Sequence, residues 1–441
     1  MKKLVTAAYR GEDTVKQVPY GTIKTTDGSV PPGGADAAEI NRLNKVQVLN
    51  LVWRRQPISR AQIARDSGLS PATVTRVAQS LIHREKLLMD VGKVRSSGGR
   101  PPIHVAISEN QSLVIGLDVG ATQIRGTLVN LRAESQAELA EPTPTNREFL
   151  DVMAVVARMI QSLQSHPAAA GRKIHGVGIA LAGLVNHQKR LVEFSPDFRW
   201  NDADVFAALS PRIKLPISCD NVTRVMAMGE LRYGIGRHVE NFVCMNLGYG
   251  IGAATVDHGR PIYGSRGLAG ELGHLCVDTT GRRQCKCGNY GCLEAVASGY
   301  AVASDGAALV AKAGRGVLWE LCQGKPDRVT AELVAAAAQG GDVGAAEIFN
   351  RAAGYIGLGV ATMINILNPE AVIIGGGMAQ AGSQMYSIIE DSVRKHALER
   401  SARGVRIMPA AFGMRATLMG AVALVLDELL NLKGPIGSAL L

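Results

Sequence analysis

A short segment, Glu271–Glu294, constrains the fold of this chain more than any other stretch. It holds four side chains of the kinds that bind zinc: His274, Cys285, Cys287 and Cys292. Three thiolates and one imidazole complete a tetrahedral structural zinc site, and Gly288 and Gly291 permit the tight turns that so compact a loop requires. Three reduced, buried cysteines without a metal are the alternative. The close spacing favours a structural Zn²⁺.

The excess positive charge is concentrated in the first quarter of the chain. Residues 1–108 hold 17 Lys and Arg against 8 Asp and Glu, a net of +9, whereas the remaining residues hold 31 against 30, a net of +1. This asymmetry is typical of a nucleic-acid-binding module attached to a nearly neutral globular body. At 441 residues the chain is long enough for two or three domains.

The composition also predicts where the chain works. No apolar run approaches the roughly 20 residues that a membrane span needs, and the first residues lack the apolar core of a signal peptide. Seven cysteines, three of them in the predicted zinc site, argue against a disulfide framework. These features predict a cytoplasmic protein with no membrane partner.

The N-terminal part divides into two regions. Residues 1–40 contain glycine, proline and threonine without apolar periodicity, which predicts a flexible extension. Residues 41–108 are predicted to form a winged helix-turn-helix domain. Within it, Ser59 can cap a short helix that ends at Gly68, and Ser70-Pro71 is a typical start of a second helix. Two short helices joined by a glycine-containing turn form the helix-turn-helix plan.

The second of these helices and the strand pair that follows it are the predicted DNA contacts. The helix turns polar side chains toward the major groove, and the strand pair carries a basic, glycine-rich turn that suits phosphates or a narrow minor groove. The predicted contacts are Ser70, Ala72, Thr73, Thr75, Arg76 and Gln79 on the helix and Lys93, Arg95 and Arg100 on the wing. A helical dimerisation module with a solvated basic face is the alternative.

Three glycine-rich turns in the remaining chain each follow an apolar stretch. Backbone N–H groups in the first of these turns can point at phosphate, with an aspartate near a metal-bound nucleotide. The residues concerned are Asp118, Gly120 and Thr122, then Gly248 and Gly250, then Gly375 and Gly376. A plain hairpin turn is the alternative for the first group, and close packing of a helix on a strand is the alternative for the third.

These motifs together resemble the ROK family of repressors, open reading frames and sugar kinases. The pattern E-x-G-H followed by C-x-C-G-x-x-G-C-x-E is similar to the family signature, and G-G-R-P is similar to the wing of its repressors. The resemblance implies an α/β fold, with an N-terminal winged helix-turn-helix and a two-lobed actin-like ATPase or sugar kinase body. The body would cover residues 109–441, with lobes at about 109–236 and 237–415 and a C-terminal helix, 416–432, that returns to the first lobe. The resemblance implies that all three glycine-rich turns are vestigial phosphate loops.

The resemblance also implies a sugar site. It matches four residues of this chain to positions that face sugar hydroxyls in the family: Asn221, Glu271, His274 and Glu294. The zinc would then support the wall of the sugar pocket and take no part in chemistry. The loop SPDFRW, residues 195–200, either contributes to the same pocket or simply packs in the core.

Two positions depart from the pattern of the sugar kinases. Val222 stands where the kinases place the aspartate that takes the proton from the attacking hydroxyl, and valine cannot accept a proton. Tyr249 stands where the second phosphate loop has threonine, and it brings a ring to the path of the phosphate. If this stretch is the end of a strand, Asp220 shares a face with Val222 and could replace the base in a different sugar pose.

The sequence therefore predicts a sugar-responsive, DNA-binding regulator of carbohydrate-utilisation genes, by default a repressor, with a sugar kinase body that does not catalyse. Its predicted partners are a double-stranded DNA operator, a sugar or sugar derivative, and copies of itself in a homodimer or homotetramer. Two alternatives stay open. One is an active ATP-dependent sugar kinase, and the other is a repressor that is controlled by a protein partner.

Overall fold

The computed structural model describes residues 37–93 and 103–438. The predicted extension lies outside the described residues up to position 36, as do the predicted wing residues Arg95 and Arg100. The described ranges form an N-terminal helical domain and a body built on two five-stranded sheets. None of the helices in these ranges combines the length and the apolar character that crossing a bilayer demands.

The N-terminal domain consists of three helices and a small sheet. Its elements are α1 (Ala37–Arg55), β1 (Ile58–Ser59), α2 (Arg60–Ser67), α3 (Pro71–Gln79), β2 (Leu88–Lys93) and β3 (Ile103–Ile107). The strands pair in the order β1-β3-β2. Helix α1 begins at Ala37 and not at Asn41, so the last residues of the predicted extension belong to the first helix.

Local capping explains where α2 and α3 begin and end. The Ser59 hydroxyl accepts a hydrogen bond from the Gln62 N–H, and the Gln62 side chain accepts one from the Ser59 N–H, which is a complete capping box. Gly68 ends α2 with a φ of 70°, and the Ser70 hydroxyl accepts from the Thr73 N–H at the start of α3. The caps predicted from the sequence are confirmed.

The first half of the body contains a five-stranded sheet, three α-helices and a small three-stranded sheet. The elements are β4 (Ser112–Val119), β5 (Gln123–Asn130), β6 (Ser135–Pro142), α4 (Phe149–Gln164), β7 (Lys173–Leu181), β8 (Leu184–Asn186), β9 (Leu191–Ser195), β10 (Trp200–Asp204), α5 (Val205–Leu209), β11 (Ile217–Asn221) and α6 (Val222–Tyr233). The order is β11-β7-β4-β5-β6, while β8, β9 and β10 pair separately. Strand β4 pairs in parallel with β7 and antiparallel with β5, and all of its residues are buried.

The second sheet repeats this plan. Its elements are β12 (Phe242–Leu247), β13 (Ile251–Asp257), β14 (Arg260–Pro261), α7 (Leu293–Ala297), α8 (Gly299–Ala313), α9 (Val317–Leu321), α10 (Ala331–Gln339), α11 (Val343–Leu367), β15 (Ala371–Gly375), α12 (Ser383–His396), α13 (Glu399–Ala402) and β16 (Arg406–Pro409). The order is β14-β13-β12-β15-β16. As in the first sheet, a hairpin (β12 and β13) adjoins parallel strands (β12, β15 and β16).

Helix α14 (Ala416–Asn431) returns from the second sheet to the first and is followed by α15 (Gly434–Ser438). It packs on β4, on β7 and along α6. The approach to β7 is close, because a Cβ on Gly178 would lie 2.1 Å from the Ala421 carbonyl oxygen, so only glycine fits there.

The same helix joins the N-terminal domain to the body. Leu426 and Leu429 of α14 share one apolar core with Leu49 of α1. Beside this core, the Trp53 ring of α1 meets the Tyr233 ring of α6 edge-on, with the two centroids 6.3 Å apart. The last turns of α6 and α14 therefore both contact the first helix of the helix-turn-helix domain.

Candidate functional site

The four predicted metal ligands converge on one point. The ligand atoms of His274, Cys285, Cys287 and Cys292 all lie within 4.8 Å of one another. The Cys285 Sγ is 3.7 Å from the His274 Nδ1, and the sulfurs of Cys287 and Cys292 are 3.8 Å apart. A tetrahedral metal that binds sulfur at about 2.3 Å requires sulfur–sulfur separations of about 3.8 Å. The donor set therefore fits one four-coordinate metal ion.

The backbone of this loop is shaped for the convergence. Gly288 and Gly291 have φ values of 97° and 70°, so the predicted tight turns are confirmed. A Cβ on Gly291 would lie 2.0 Å from the Asp278 carbonyl oxygen, which excludes any larger residue. Burial raises the pKa of the Cys292 thiol to about 12. A bound cation is what would make the thiolate favourable here.

A cavity of about 1040 Å³ lies beside the metal ligands, with walls from both halves of the body. All four residues of the predicted sugar site line it: Asn221, Glu271, His274 and Glu294. A cavity of this size is large enough for a small-molecule ligand. The structure thus brings together side chains that are up to 73 positions apart in the sequence.

Asn221 is largely committed to contacts within the protein. Its side-chain oxygen accepts from the N–H groups of Thr223 and Arg224, which caps α6. Its amide donates to the Gly183 carbonyl oxygen at 2.8 Å. Because an asparagine amide has two N–H donors, one of them is left for a ligand.

The two glutamates of the predicted sugar site differ in exposure, since the Glu271 side chain is 37% exposed and Glu294 is half-buried. The Glu294 Oε2 accepts from the Ile251 N–H at 2.9 Å, and burial together with the Asp197 carboxylate raises the pKa of Glu294 to about 7. Burial also raises the pKa of Glu271, whose Oε2 lies 3.9 Å from the His274 Nε2. The imidazole therefore has one nitrogen toward the sulfur atoms and the other toward a carboxylate of the cavity wall.

The stretch at Val222 differs from the predicted strand end. Strand β11 ends at Asn221 and Val222 is the first residue of α6, because the Asn221 cap starts the helix there. The expectation that Asp220 and Val222 share a face of a strand is therefore wrong. Val222 lines the cavity, whereas Asp220 is fully buried and its carboxylate pairs with the Arg224 guanidinium at 2.7 Å. Asp220 is not placed to act as a base.

Most of the predicted phosphate-loop residues face the same cavity. Six line it: Asp118, Gly120, Thr122, Gly248, Gly250 and Gly376. Gly375 ends β15 instead, where a Cβ would lie 2.8 Å from the Met226 Sδ, so close packing explains this glycine. The Asp118 carboxylate accepts from Arg125 at 2.6 Å and from the Thr417 hydroxyl, which leaves it engaged with protein groups.

Tyr249 belongs to a cluster of rings and charges that sequence reasoning missed. Its ring centroid is 5.5 Å from that of Tyr300, and the Lys286 Nζ lies 3.9 and 4.0 Å from the two centroids. Lys286 also donates to the Asp197 Oδ1 at 2.9 Å. The predicted pocket loop SPDFRW does contain Asp197, which lines the cavity. Trp200 of the same loop is buried. No local pattern indicates Tyr300 or Lys286.

The predicted DNA-contacting residues of α3 lie on one side of that helix. Its opposite side is buried through Val74 and Val77. The outward side chains are exposed at Ser70, Ala72, Arg76 and Gln79 and half-buried at Thr73 and Thr75.

The structure also shows the surroundings of two of these predicted DNA contacts, Arg76 and Lys93. The Arg76 guanidinium donates to the Asn41 side-chain oxygen of α1 at 3.0 Å, so it must leave this partner to reach a base. Lys93 is the last residue of β2, at the base of the predicted wing.

Comparisons with known proteins agree with this architecture. A profile described as the ROK family matches residues 114–428. The chain is 29% identical to the N-acetylglucosamine repressor of Escherichia coli O6:H1 over 412 residues, which are 92% of this chain and 97% of the relative. It is 24% identical to the xylose repressor of Bacillus subtilis over 398 residues, which are 90% of this chain and 98% of the relative.

Two solved structures are similar to the chain over different lengths. A ROK family transcriptional regulator described as a homologue of the E. coli MLC protein has a TM-score of 0.76 and 29% identity, over 89% of this chain and 97% of that one. A ROK family glucokinase from Streptomyces griseus, in complex with glucose and AMPPNP, has a TM-score of 0.65 and 27% identity, over 71% of this chain and 98% of that one. The family profile, the regulator and the kinase together establish that the chain belongs to the ROK family, with an α/β body of the two-lobed, actin-like fold of the ROK kinases.

Proposed function

We propose that the chain is a sugar-responsive, DNA-binding transcriptional regulator, by default a repressor of carbohydrate-utilisation genes. The observation that carries the proposal is that one chain combines a helix-turn-helix domain with a sugar-kinase-like cleft. Val222, which the family resemblance matches to the base of the kinases, lines this cleft. Relatives that match nearly the whole chain are named N-acetylglucosamine repressor and xylose repressor, which supports it. A cytoplasmic location belongs to the same proposal, because access to DNA and a reduced zinc–thiolate site both require it.

The body is proposed to bind sugar without phosphorylating it. A sugar kinase needs a group that takes the proton from the attacking hydroxyl, and Val222 offers none. The neighbouring Asp220 is held in a buried ion pair with Arg224, and Asp118 is engaged by Arg125. The likeness to a glucokinase makes an active kinase the competing function. Sugar-dependent release of ADP by the purified chain would support that function and contradict ours.

A structural Zn²⁺ is part of the proposal. Three thiolates and an imidazole suit zinc, whereas Mg²⁺ and Ca²⁺ prefer oxygen ligands. The ion would be held by His274, Cys285, Cys287 and Cys292, and it would fix the loop that carries Glu271 and Glu294 beside the cavity. With four protein ligands it leaves no open position for chemistry.

Two helices provide a route from the cavity to the DNA-binding domain. Helix α6 begins at the cavity with Val222 and ends with Tyr233 against Trp53 of α1. Helix α14 begins at the cavity with Ala416, and its other end packs on α1. A sugar that binds one arrangement of the lobes more tightly shifts the population toward it, and the two helices carry the change to the DNA-binding domain.

The assembly that responds is proposed to be a homodimer or homotetramer. Paired recognition helices must match operator half-sites that lie about 34–36 Å apart, or a multiple of this distance. A modest rotation of the DNA-binding domains is then sufficient to release the operator.

The experiment starts with selection of a duplex from a random DNA library by the purified chain. Titration of the selected complex with sugars then measures release. Enrichment of no duplex would contradict the proposed function. Release by a sugar supports it, whereas release by a protein fraction and by no sugar would support control by a protein partner.

Mutation of α3 tests the DNA-reading surface in the same assay. Arg76→Ala is expected to weaken binding of the selected duplex by about 2 kcal/mol with unchanged thermal unfolding, because Arg76 is exposed on the outward side of α3. Arg394→Ala, which removes an exposed arginine of α12, is the control for charge alone. If the two variants bind the duplex with equal affinity, the predicted contact of Arg76 with the major groove of DNA is wrong.

A further inference from the structure

More negatively charged than positively charged side chains line the cavity. Within the described part of the chain, one guanidinium lines it, that of Arg125, against five carboxylates: Asp118, Asp197, Glu271, Glu294 and Glu332. Arg125 lies 2.6 Å from the Asp118 carboxylate, so its charge is already matched. With that pair set aside, four carboxylates and no cation remain among the side chains that line the wall in the described part of the chain, so the wall carries an excess of negative charge.

The two cations just outside the wall are held by contacts within the protein, and one of them, Lys286, forms an ion pair. The Lys286 Nζ lies 2.9 Å from the Asp197 Oδ1 and is held between the rings of Tyr249 and Tyr300. Arg147 donates to the Asp197 carbonyl oxygen at 2.9 Å and lies 5.4 Å from the Tyr249 ring. An anion that enters the cavity would compete with the Asp197 carboxylate for the ammonium group.

The glycine-rich turns and the metal ligands do not make the charge of the cavity wall positive. At the third turn, the Glu332 Oε1 lies 3.2 Å from the point that a Cβ on Gly377 would occupy, so a carboxylate stands next to the N–H groups that could face phosphate. A divalent ion held by three thiolates and a neutral imidazole keeps one net negative charge. The wall formed by His274 and Cys287 therefore supplies no attraction for an anion.

We propose that the ligand of this cleft is an uncharged carbohydrate and that the cleft excludes sugar phosphates. The inference rests on the proposed function, since it concerns the ligand of the same site. Glutamate and asparagine side chains can satisfy sugar hydroxyls through hydrogen bonds. A phosphate dianion would instead meet like charges in a partly desolvated cleft, where repulsion at a given distance is several times stronger than in water.

Matched pairs of ligands test the inference. Glucose is compared with glucose 6-phosphate, and N-acetylglucosamine with N-acetylglucosamine 6-phosphate, by calorimetric titration of the zinc-loaded full chain; xylose and inorganic phosphate are further probes. We expect a neutral sugar to bind and its phosphate ester to bind roughly tenfold more weakly or worse. Added salt should reduce the difference between the affinities for the neutral sugar and for its phosphate ester, because salt screens the repulsion. Inorganic phosphate should not raise the unfolding temperature.

A variant tests the electrostatic cause. Asp197→Asn removes the carboxylate partner of Lys286 while keeping the size of the side chain, so the ammonium becomes available to an anion. We expect the affinity for the phosphate ester to rise roughly tenfold relative to that for the neutral sugar. The control is Asp391→Asn, which removes a carboxylate from an exposed pair with Arg394 on α12 and should leave the ratio unchanged.

The outcomes separate the inference from the proposed function. A phosphate ester that binds as tightly as its neutral partner overturns the inference and leaves the sugar-responsive function standing. An unchanged ratio in Asp197→Asn overturns the electrostatic cause on which the inference depends. If no probe of either kind binds, the sugar-sensing function fails, and the inference fails with it.

Discussion

The two halves of the cavity differ in the contacts that their side chains already make within the protein. One half, which is proposed to face the sugar (the sugar-facing half), contains Asn221, Glu271 and Glu294 beside the candidate metal ligands. The other half, which is proposed to correspond to the phosphate loops (the phosphate-facing half), contains the glycine turns and Asp118, which is engaged by Arg125. There the Tyr249 ring also packs against Tyr300 and Lys286.

Under the proposed function, this difference means that sugar recognition and phosphoryl transfer are separable within one cleft. Hydrogen bonds to sugar hydroxyls need only fixed acceptors and donors, which the sugar-facing half supplies. Phosphoryl transfer also needs a base, a metal-bound nucleotide and open phosphate loops acting together. A sensor can therefore arise by loss in one half while the other half is retained. Three changes to the chain would break or sharpen this comparison.

The largest effect is expected from removal of a metal ligand. Cys287→Ser should lose the zinc and destabilise the body by about 4 kcal/mol, because the loop behind the sugar-facing half then lacks its cross-link. Metal content by atomic absorption and thermal unfolding measure the two effects. A variant that retains one zinc per chain would contradict the ligand set.

The matched control for that change is Cys276→Ser. Cys276 lies in the same segment but is exposed and is outside the cluster of four ligands. It should keep both the zinc and the stability of the parent chain. Equal loss of zinc in the two variants would point to general fragility of the loop and not to a specific ligand.

A smaller effect is expected from a change of one acceptor in the sugar-facing half. Glu271→Gln should weaken sugar binding by about 2 kcal/mol, roughly thirtyfold, because a charged acceptor is replaced by a neutral amide. Binding of DNA without sugar should stay the same. Calorimetry and DNA titration measure the two quantities. Glu399→Gln, at an exposed glutamate of α13, is the control, and equal sugar affinities would remove Glu271 from the site.

The parts of the molecule that were predictable from the sequence depend on short spacings. The metal ligands lie in one loop, and the helix caps at Ser59, Gly68 and Ser70 act within a few residues of themselves. The glycine-rich turns were recognisable because each follows an apolar strand, and all three contribute residues to the cavity.

The parts that were missed depend on long-range packing. Lys286 and Asp197 are 89 positions apart, and only the packing of the body brings the ammonium to the carboxylate. The strand expected to include Val222 ends one residue earlier, because Asn221 caps a helix with its own side chain. The buried pair of Asp220 and Arg224 depends on that same helix, since the two lie four residues apart across its first turn.

The smallest effect is expected from restoring a carboxylate at the base position. Val222→Asp should give no sugar-dependent ADP release above that of the Val222→Asn control. The new aspartate would stand at the first position of α6, but a base alone does not complete the site. The ring of Tyr249 and the engaged Asp118 would still impair the phosphate-facing half.

Coupled enzyme kinetics would decide this prediction. Turnover of about 1 s⁻¹ or more in the single variant, the range of working kinases, would show that the phosphate-facing half is intact and that Val222 alone separates this chain from an enzyme. If activity appears only when Tyr249→Thr is added, loss of turnover involved both positions. In that case the retained glycines are a scaffold whose return to catalysis needs repair on both sides of the transferred phosphoryl group.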